Sequence, residues 1–315
     1  VTIMVVGAGV AGVACARALR AGGADVRVVD RARVVGGRMA SRRLGEPLRP
    51  VDLGAAYFTV ADEGFRAVVA GWRERGLARP WTDTFAVFNG DGRGTAPGPV
   101  RWAAPGGLRS LVADLAGGLD VELEHPVTEV GPGPVVDGRG YDAVVLAMPD
   151  PQAARLLAPD SPAHGVLTGP DAVAWSPVIA VAMEFPTRNW PDFDAGFVND
   201  HDVLSLVADD GARRGDGAPV LVAHTTAATA RAHDREPDGA VAPVLAAVRA
   251  LLDIVDVPVW THAHRWRLVR PDRHRDEPFH LGADRIGLAG DVWGTPKVET
   301  AWHSGTALAE ALLHG

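Results

Sequence analysis

The chain opens on a short apolar run, residues 3–6, uncharged on both faces, which is the pattern of a strand buried in a parallel sheet. Gly7-Ala8-Gly9-Val10-Ala11-Gly12 follows at once, residues 13–21 read as a helix closed by Gly22-Gly23, and residues 25–29 form a second strand ending at Asp30. Further along, Pro105-Gly106-Gly107 introduces a helix over 108–115. Residues 121–123 and 126–130 read as strands, and 141–148 as another buried strand before Pro149. Near the end, 285–291 reads as a buried strand ending in Gly290-Asp291, and a final helix opens after Pro296 and runs to 313. Other segments point to a separate antiparallel sheet: 84–88 with the turn Asn89-Gly90-Asp91-Gly92, then 178–185, 203–207, 220–224 and 259–269. Helices are expected over 63–75 and 241–252. No internal repeat or low-complexity run interrupts these elements.

The first strand, turn, helix and second strand carry a physical logic. Gly7 permits a tight turn, Gly9 lets a pyrophosphate approach the backbone, and Gly12 lets helix and strand pack closely. A pyrophosphate would sit at the helix N-terminus, where free N–H groups point outward. Asp30, 18 residues beyond Gly12, would accept hydrogen bonds from ribose hydroxyls. A dinucleotide-binding unit is therefore expected, the alternative being a chance glycine-rich turn.

The residues after Asp30 bear on which dinucleotide. Arg31 is followed by Gly36-Gly37-Arg38, and then by Asp52-Leu53-Gly54-Ala55-Ala56-Tyr57-Phe58-Thr59. With Gly290-Asp291 and Pro296-Lys297-Val298-Glu299-Thr300-Ala301-Trp302 at the far end, the chain resembles the flavin-containing amine oxidase superfamily. Gly196-Phe197-Val198-Asn199-Asp200 and His264-Arg265-Trp266-Arg267 make it similar to the bacterial renalase-like group within it. The resemblance implies an α/β fold: a Rossmann-type FAD-binding domain (1–60, 103–160 and 282–315) with an inserted α+β substrate domain (61–102 and 161–281) built on an antiparallel sheet, as in amine oxidases and p-hydroxybenzoate hydroxylase. It implies a noncovalent FAD oxidoreductase in which hydride passes from a small substrate, a reduced nicotinamide isomer or an amine, to the flavin. Molecular oxygen would then reoxidise the flavin to give hydrogen peroxide. The cofactor-binding positions carried over are Gly7, Gly9, Ala11, Gly12, Asp30, Arg31, Gly37, Arg38, Ala55, Ala56, Tyr57, Val127, Gly290, Asp291, Val298, Glu299 and Ala301. Of these, Val127 would meet the adenine and Gly290-Asp291 the ribityl and phosphate part. The last helix would aim its N-terminus at the pyrimidine carbonyl, where reduction places negative charge.

The chain departs from the group's pattern at Ala56, commonly Gln, and at Leu268-Val269, commonly Tyr-Ala. Leu206 stands where an aromatic residue is expected, and Thr300 and His303 replace smaller or apolar residues. Flavin binding is expected to survive these differences, and substrate identity is not. Three other classes stay open: a pyridine-nucleotide dehydrogenase, which needs neither Gly-Gly-Arg nor the terminal Gly-Asp; a flavoenzyme tailoring a specialised metabolite; and a non-catalytic FAD-binding protein.

Composition narrows the picture further. A chain of 315 residues with 47% hydrophobic and 22% charged residues is an ordinary globular one, and its net charge of −8 argues against nucleic acid as a main partner. The single cysteine, Cys15, excludes internal disulfides and thiolate clusters and suits a reducing cytoplasm. No run of 18 apolar residues encodes a membrane span. Residues 1–16 look superficially like a secretion signal but lack its basic start. Partners are thus expected to be a small-molecule substrate and oxygen; oligomeric state is not encoded.

Chemistry has few candidates. On the strand 259–269, alternation puts Trp260, His262, His264 and Trp266 on one face and Arg265 and Arg267 on the other. His264 or Arg265 is expected to face a substrate cavity, a packed structural strand being the alternative. The His262/His264 pair lacks a third ligand, so no metal is expected. Lys297, the only lysine, precedes the flavin-proximal helix and could hold a water near the flavin or serve as a positive charge. Glu299 is expected to order that helix start. The run Asp272-Arg273-His274-Arg275-Asp276-Glu277 is expected as a solvated loop, and Cys15 as a buried, unreactive thiol.

Overall fold

The computed structural model describes residues 1–90 and 92–315; Asp91, in the expected turn, lies outside the described residues. Two large sheets organise them. The first has six strands in the order His280–Leu281 (β17), Ile286–Leu288 (β18), Ala143–Leu146 (β11), Thr2–Val6 (β1), Asp25–Val29 (β2) and Asp120–Glu122 (β7). Every neighbouring pair is parallel except β17 with β18. Helix Val10–Ala21 (α1) makes the crossover from β1 to β2, and chain order reverses beside β1, where β11 joins its other edge. Ligands of open parallel sheets sit at such a switch point, beyond the C-terminal ends of the strands.

Alternate residues of β1 serve two cores. Ile3 and Val5 face α1, the final helix Val298–His314 (α9), Arg109–Leu115 (α3) and Glu63–Glu74 (α2), with Phe65, Trp72, Leu108 and Leu111 buried among them. Met4 and Val6 face the opposite layer, which holds Asp150–Ala153 (α4), Pro162–Thr168 (α5) and a small ribbon of Val130–Gly131 (β8), Val135–Val136 (β9) and Arg139–Gly140 (β10). Helices α1 and α9 lie so close that a Cβ on Gly305 would overlap the Ala11 carbonyl oxygen.

The second sheet has seven strands in the order Trp260–Pro271 (β16), Trp175–Glu184 (β12), Val220–Thr225 (β15), Leu204–Asp209 (β14), Ala195–Val198 (β13), Arg79–Asn89 (β5) and Gly92–Ala103 (β6). It is mixed rather than purely antiparallel, because β13 runs parallel to β5. These two strands come from separate stretches of chain, so no hairpin constrains their direction. One face is covered by Val241–Leu252 (α8), which follows Ala227–Ala232 (α7); Val244, Val248 and Leu252 pack on Ile179, Val181, Met183, Leu221 and Ala223. The other face, with Ala180, Ala182, Val220 and Val222, packs on Val51 and Leu53 at the hairpin Ser41–Leu44 (β3) and Arg49–Asp52 (β4). Helix Asp210–Arg214 (α6) follows β14 at the seam.

Some sequence expectations change. Residues 126–130 are not a strand apart from Val130, because Asp137 Oδ1 takes the backbone N–H groups of Thr128 and Glu129 that a ladder would need. Strand β6 was not foreseen, its glycines and prolines arguing against it; as the edge of the sheet it tolerates both. Helix α1 begins at Val10, earlier than expected, which brings its N-terminus into the glycine-rich turn. By packing, α2 and α5 lie in the cores of the six-stranded sheet, although sequence order placed both in the inserted unit: their apolar faces meet Phe58 and Leu108, and Met4 and Val6. Arg275 is inserted rather than solvated, pairing with Asp150 at 2.6 Å and lying 4.6 Å from the Trp293 ring. Among the described residues no helix is long and apolar enough to cross a membrane.

Candidate active site

Four glycines at the switch point fall into two kinds. Gly7 has φ +112, and a Cβ there would lie 2.5 Å from the Ala147 carbonyl oxygen; one on Gly12 would overlap the Gly7 carbonyl oxygen. Those two are required by the chain's own packing. Gly9 differs, since its Cβ would meet only the Gly37 Cα at 4.0 Å, and Gly290 is buried yet a Cβ there would meet nothing within 4 Å. Room is left at both. Gly9 is also the N-cap of α1, which has no side-chain cap and no acidic residue in its first turn, so its N–H groups are available to an anion. Ala11 is buried in that first turn. These residues fit a dinucleotide cofactor.

The surrounding groups brace this room. Asp30 Oδ2 accepts from Ala8 N at 2.7 Å and Oδ1 from Ala32 N at 2.8 Å, tying the glycine-rich turn to the chain beyond β2. Each carboxylate oxygen keeps a further acceptor site for a ribose hydroxyl. Arg31 is exposed. Gly36 N donates to Ala8 O at 2.9 Å, and Gly37 has φ +52 where it approaches Gly9. Arg38 pairs with Asp291 through two hydrogen bonds of 2.6 and 2.9 Å and lies 5.3 Å from the Trp175 ring. The motifs at the two ends of the chain therefore meet in one ion pair. Ala55 N donates to Arg38 O at 2.9 Å, continuing the lining into Ala56 and Tyr57. Val127 lies half-buried in the irregular segment before β8, packed with the Met4 and Val6 core.

At α9, Val298 is half-buried and Ala301 buried. Glu299 is buried as well, and its Oε1 accepts from Ala61 N and Asp62 N, both at 2.6 Å. Through Oε1 its carboxylate fastens the helix start to the loop before α2, in keeping with the expectation that it orders that start. Lys297 is the exposed N-cap of α9.

The seven-stranded sheet supplies the opposite wall. Trp266 Nε1 donates to Leu53 O at 2.7 Å, and the His264 and Trp266 rings meet edge to face at 4.5 Å, so this face of β16 looks toward the Asp52–Tyr57 stretch. Arg265 occupies the other face, opposite Ile179 beneath the helices, and pairs with Asp234 at 3.3 Å. Of the two expected candidates, His264 shares the face that Trp266 turns to the Asp52–Tyr57 stretch; Arg265 is on the helix-covered face because neighbours on a strand alternate. Burial, with the charge of Arg42 adding to it, pushes the His264 imidazole down to about 4.

Strand register extends this wall across the sheet. His264 is opposite Ala180, Ala180 is opposite His224, His224 is opposite Leu206, and Leu206 is opposite Phe197. Phe85, Phe197 and Tyr57 cluster at the far end, with ring centroids 5.2–5.3 Å apart. His224 was not singled out in the sequence, since its strand was recognised but its face depends on pairing. Arg213 was also missed. It is fully buried on α6, donates to Ala56 O at 3.0 Å and Asp52 O at 3.3 Å, and pairs with Asp210, fixing the stretch between the two walls. Asp52 in turn accepts from Leu108 N at 2.8 Å and from the Ser41 hydroxyl. Cys15 is buried, and desolvation pushes its thiol up to about 12.

Residues 5–71 match a family model described as NAD(P)-binding Rossmann-like domain, and residues 62–313 match that of flavin containing amine oxidoreductase. Among solved structures, the fold is similar to a provisionally named protoporphyrinogen oxidase from an Exiguobacterium species, at 13% identity and TM-score 0.79, over 99% of this chain and 98% of that one. It is also similar to cyclohexylamine oxidase from Brevibacterium oxydans, at 15% identity and TM-score 0.75, over 99% and 98%. A putrescine oxidase bound to putrescine aligns at 16% identity and TM-score 0.72 over 100% of both chains. The chain belongs to the family of flavin-containing amine oxidoreductases.

Proposed function

We propose that this member of the flavin-containing oxidoreductases binds FAD noncovalently and oxidises a small substrate by hydride transfer. FAD, when bound, would supply the hydride acceptor, with molecular oxygen as the onward electron acceptor and hydrogen peroxide as the product. The N-terminus of α1 and the room at Gly9 would hold the pyrophosphate, Asp30 the ribose, and Gly290 with Asp291 the ribityl and phosphate part. The start of α9 stabilises negative charge on the ring. His264 and Trp266 face the substrate, and the buried Cys15 thiol, held protonated, offers no nucleophile for a covalent flavin bond. Little acid-base machinery is needed, since a reduced nicotinamide releases hydride without prior deprotonation and an amine need only be neutral when it reacts.

The observation that carries this reading is the unfilled room at Gly9 and buried Gly290, bracketed by the Arg38–Asp291 pair that joins both ends of the chain. The renalase-like resemblance favours a reduced nicotinamide isomer as hydride donor; the family description and two of the structural neighbours favour an amine. A cytoplasmic setting agrees with the single buried cysteine. The test begins with purified protein, which should be yellow and release intact FAD on denaturation; colourless protein that fails to take up FAD would refute the cofactor assignment. Anaerobic mixing with reduced nicotinamide isomers and with primary and secondary amines then identifies the donor by which class bleaches the flavin.

A further inference from the structure

The imidazole end of the sheet wall has two properties that the cofactor assignment does not explain. His224 and His264 flank Ala180 on one face, His224 on β15 and His264 on β16, so a small side chain separates two ring systems on strands about 10 Å apart. His224 Nε2 is buried and has no hydrogen-bond partner among the described residues, and the same holds for Nε2 of His262 beside His264, whose own ring meets Trp266 edge to face. A buried polar atom without a partner is uncommon in a native interior unless something else satisfies it.

Charge around these rings is one-sided. Over β16, β12, β15 and β14 the only carboxylates are Glu184 and Asp209. Glu184 is held by Arg49 and Trp260, and Asp209 by Arg188 and Trp190. On the facing side Asp52 is taken up by Ser41, Leu108 and Arg213, and Asp291 by Arg38. The charges that act on the two imidazoles are those of Arg270 and Arg213 on His224 and Arg42 on His264, and burial keeps both rings neutral. Asp238 reaches only the neighbouring His262, against the same Arg42.

We propose that His224 and His264 form a neutral imidazole wall that takes an uncharged donor–acceptor group of the substrate, such as a planar carboxamide, and disfavours an ammonium. The inference rests on the proposed flavin site, because that site puts this face of the sheet opposite the reacting ring. A neutral imidazole offers one donor and one acceptor, matching an amide on both counts. An ammonium would enter a place with arginine charge nearby, where the carboxylates of the surrounding strands described above already have arginine partners. His224 then acts on specificity by direct contact.

Benzamide and benzylamine separate the two cases, sharing a ring and differing in the polar group. The flavin-containing protein is titrated with each by calorimetry, at a pH where benzylamine is protonated. Benzamide should bind more tightly by about tenfold or more, the factor expected from one well-made hydrogen bond to a buried group. His224→Leu should erase that advantage with flavin content and melting temperature unchanged, and His224→Gln should restore most of it. His264→Leu gives the same comparison if the His224 variant does not fold. Equal or tighter binding of benzylamine by yellow protein, binding of neither probe, or an undiminished preference in the folded leucine variants would overturn the wall while leaving the cofactor assignment intact. Colourless protein would overturn both.

Discussion

On the side of the six-stranded sheet the cleft is lined by backbone, and on the side of the seven-stranded sheet by side chains. Around Gly7, Gly9, Gly12, Gly37 and Gly290 the chain presents N–H groups, carbonyls and open room, and the few charged groups there, Asp30, Arg38 and Asp291, are tied to backbone or to one another. On the facing side of the seven-stranded sheet, His264, Ala180, His224, Leu206 and Phe197 form a row, covered by Val51 and Leu53 at Ala180, whose chemistry lies in side chains. A backbone-lined wall recognises a constant ligand and tolerates sequence change elsewhere. A side-chain wall can be re-specified one residue at a time.

The contrast predicts that the seam between the walls is the weakest place to disturb. Arg213 holds the Asp52 and Ala56 carbonyls from α6, and its loss takes an ion-pair partner from two buried carboxylates, leaving Asp210 with Arg214 alone and Asp52 with Ser41 and Leu108. Arg213→Met should therefore cost about 3–5 kcal/mol in urea denaturation. A loss below ~1 kcal/mol would mean that water reaches the pair and the seam is not sealed.

A smaller effect sharpens the account of the side-chain wall. His224 and His264 ionise near 6.5 when solvated but are pushed down to about 3 and about 4 in the fold, chiefly by burial. As pH falls through 6.5 the unfolded chain binds protons that the folded chain refuses, so stability should decline from there to about 4 for His264 and about 3 for His224 and be indifferent to these two groups above 6.5. His224→Gln should flatten that slope by up to one proton. An unaltered slope would show His224 to be solvated.

Much of the backbone-lined wall was legible from residue order. β-Branched runs bounded by glycine, the Gly7–Gly12 spacing and an acid closing the second strand have local causes, and local causes can be read locally. The other wall was not, because a strand's face is decided by its partners. His224 ends a strand that was recognised, yet only its pairing with Ala180 and Leu206 turns it to the cleft. Alternation correctly put His264 and Arg265 on opposite faces, but which face met the cofactor unit depended on Trp266 reaching Leu53. Strand β6 was hidden by its glycines and prolines, and Glu299 by a contact with Ala61 and Asp62, far away in sequence.

The smallest expected effect is a deliberate silence. Arg265→Ala removes a partly exposed pair with Asp234, worth about 0–1 kcal/mol, and should leave the rate of anaerobic flavin reduction unchanged, whereas His264→Ala should slow it. Equal slowing by both would mean that the two faces of β16 are coupled and the division between covered face and cleft face fails.

The central claim is that the cofactor occupies the room left at Gly9 and Gly290. Neither position has a left-handed φ, and neither added Cβ would meet protein closer than 4.0 Å, so Gly9→Ala and Gly290→Ala should fold and melt as the parent does. Flavin content per chain after purification, measured by absorbance beside a thermal melt of the flavin-stripped proteins, decides the matter directly. The account predicts unchanged apoprotein stability with a marked loss of bound flavin in both variants, and full flavin content in both would contradict it.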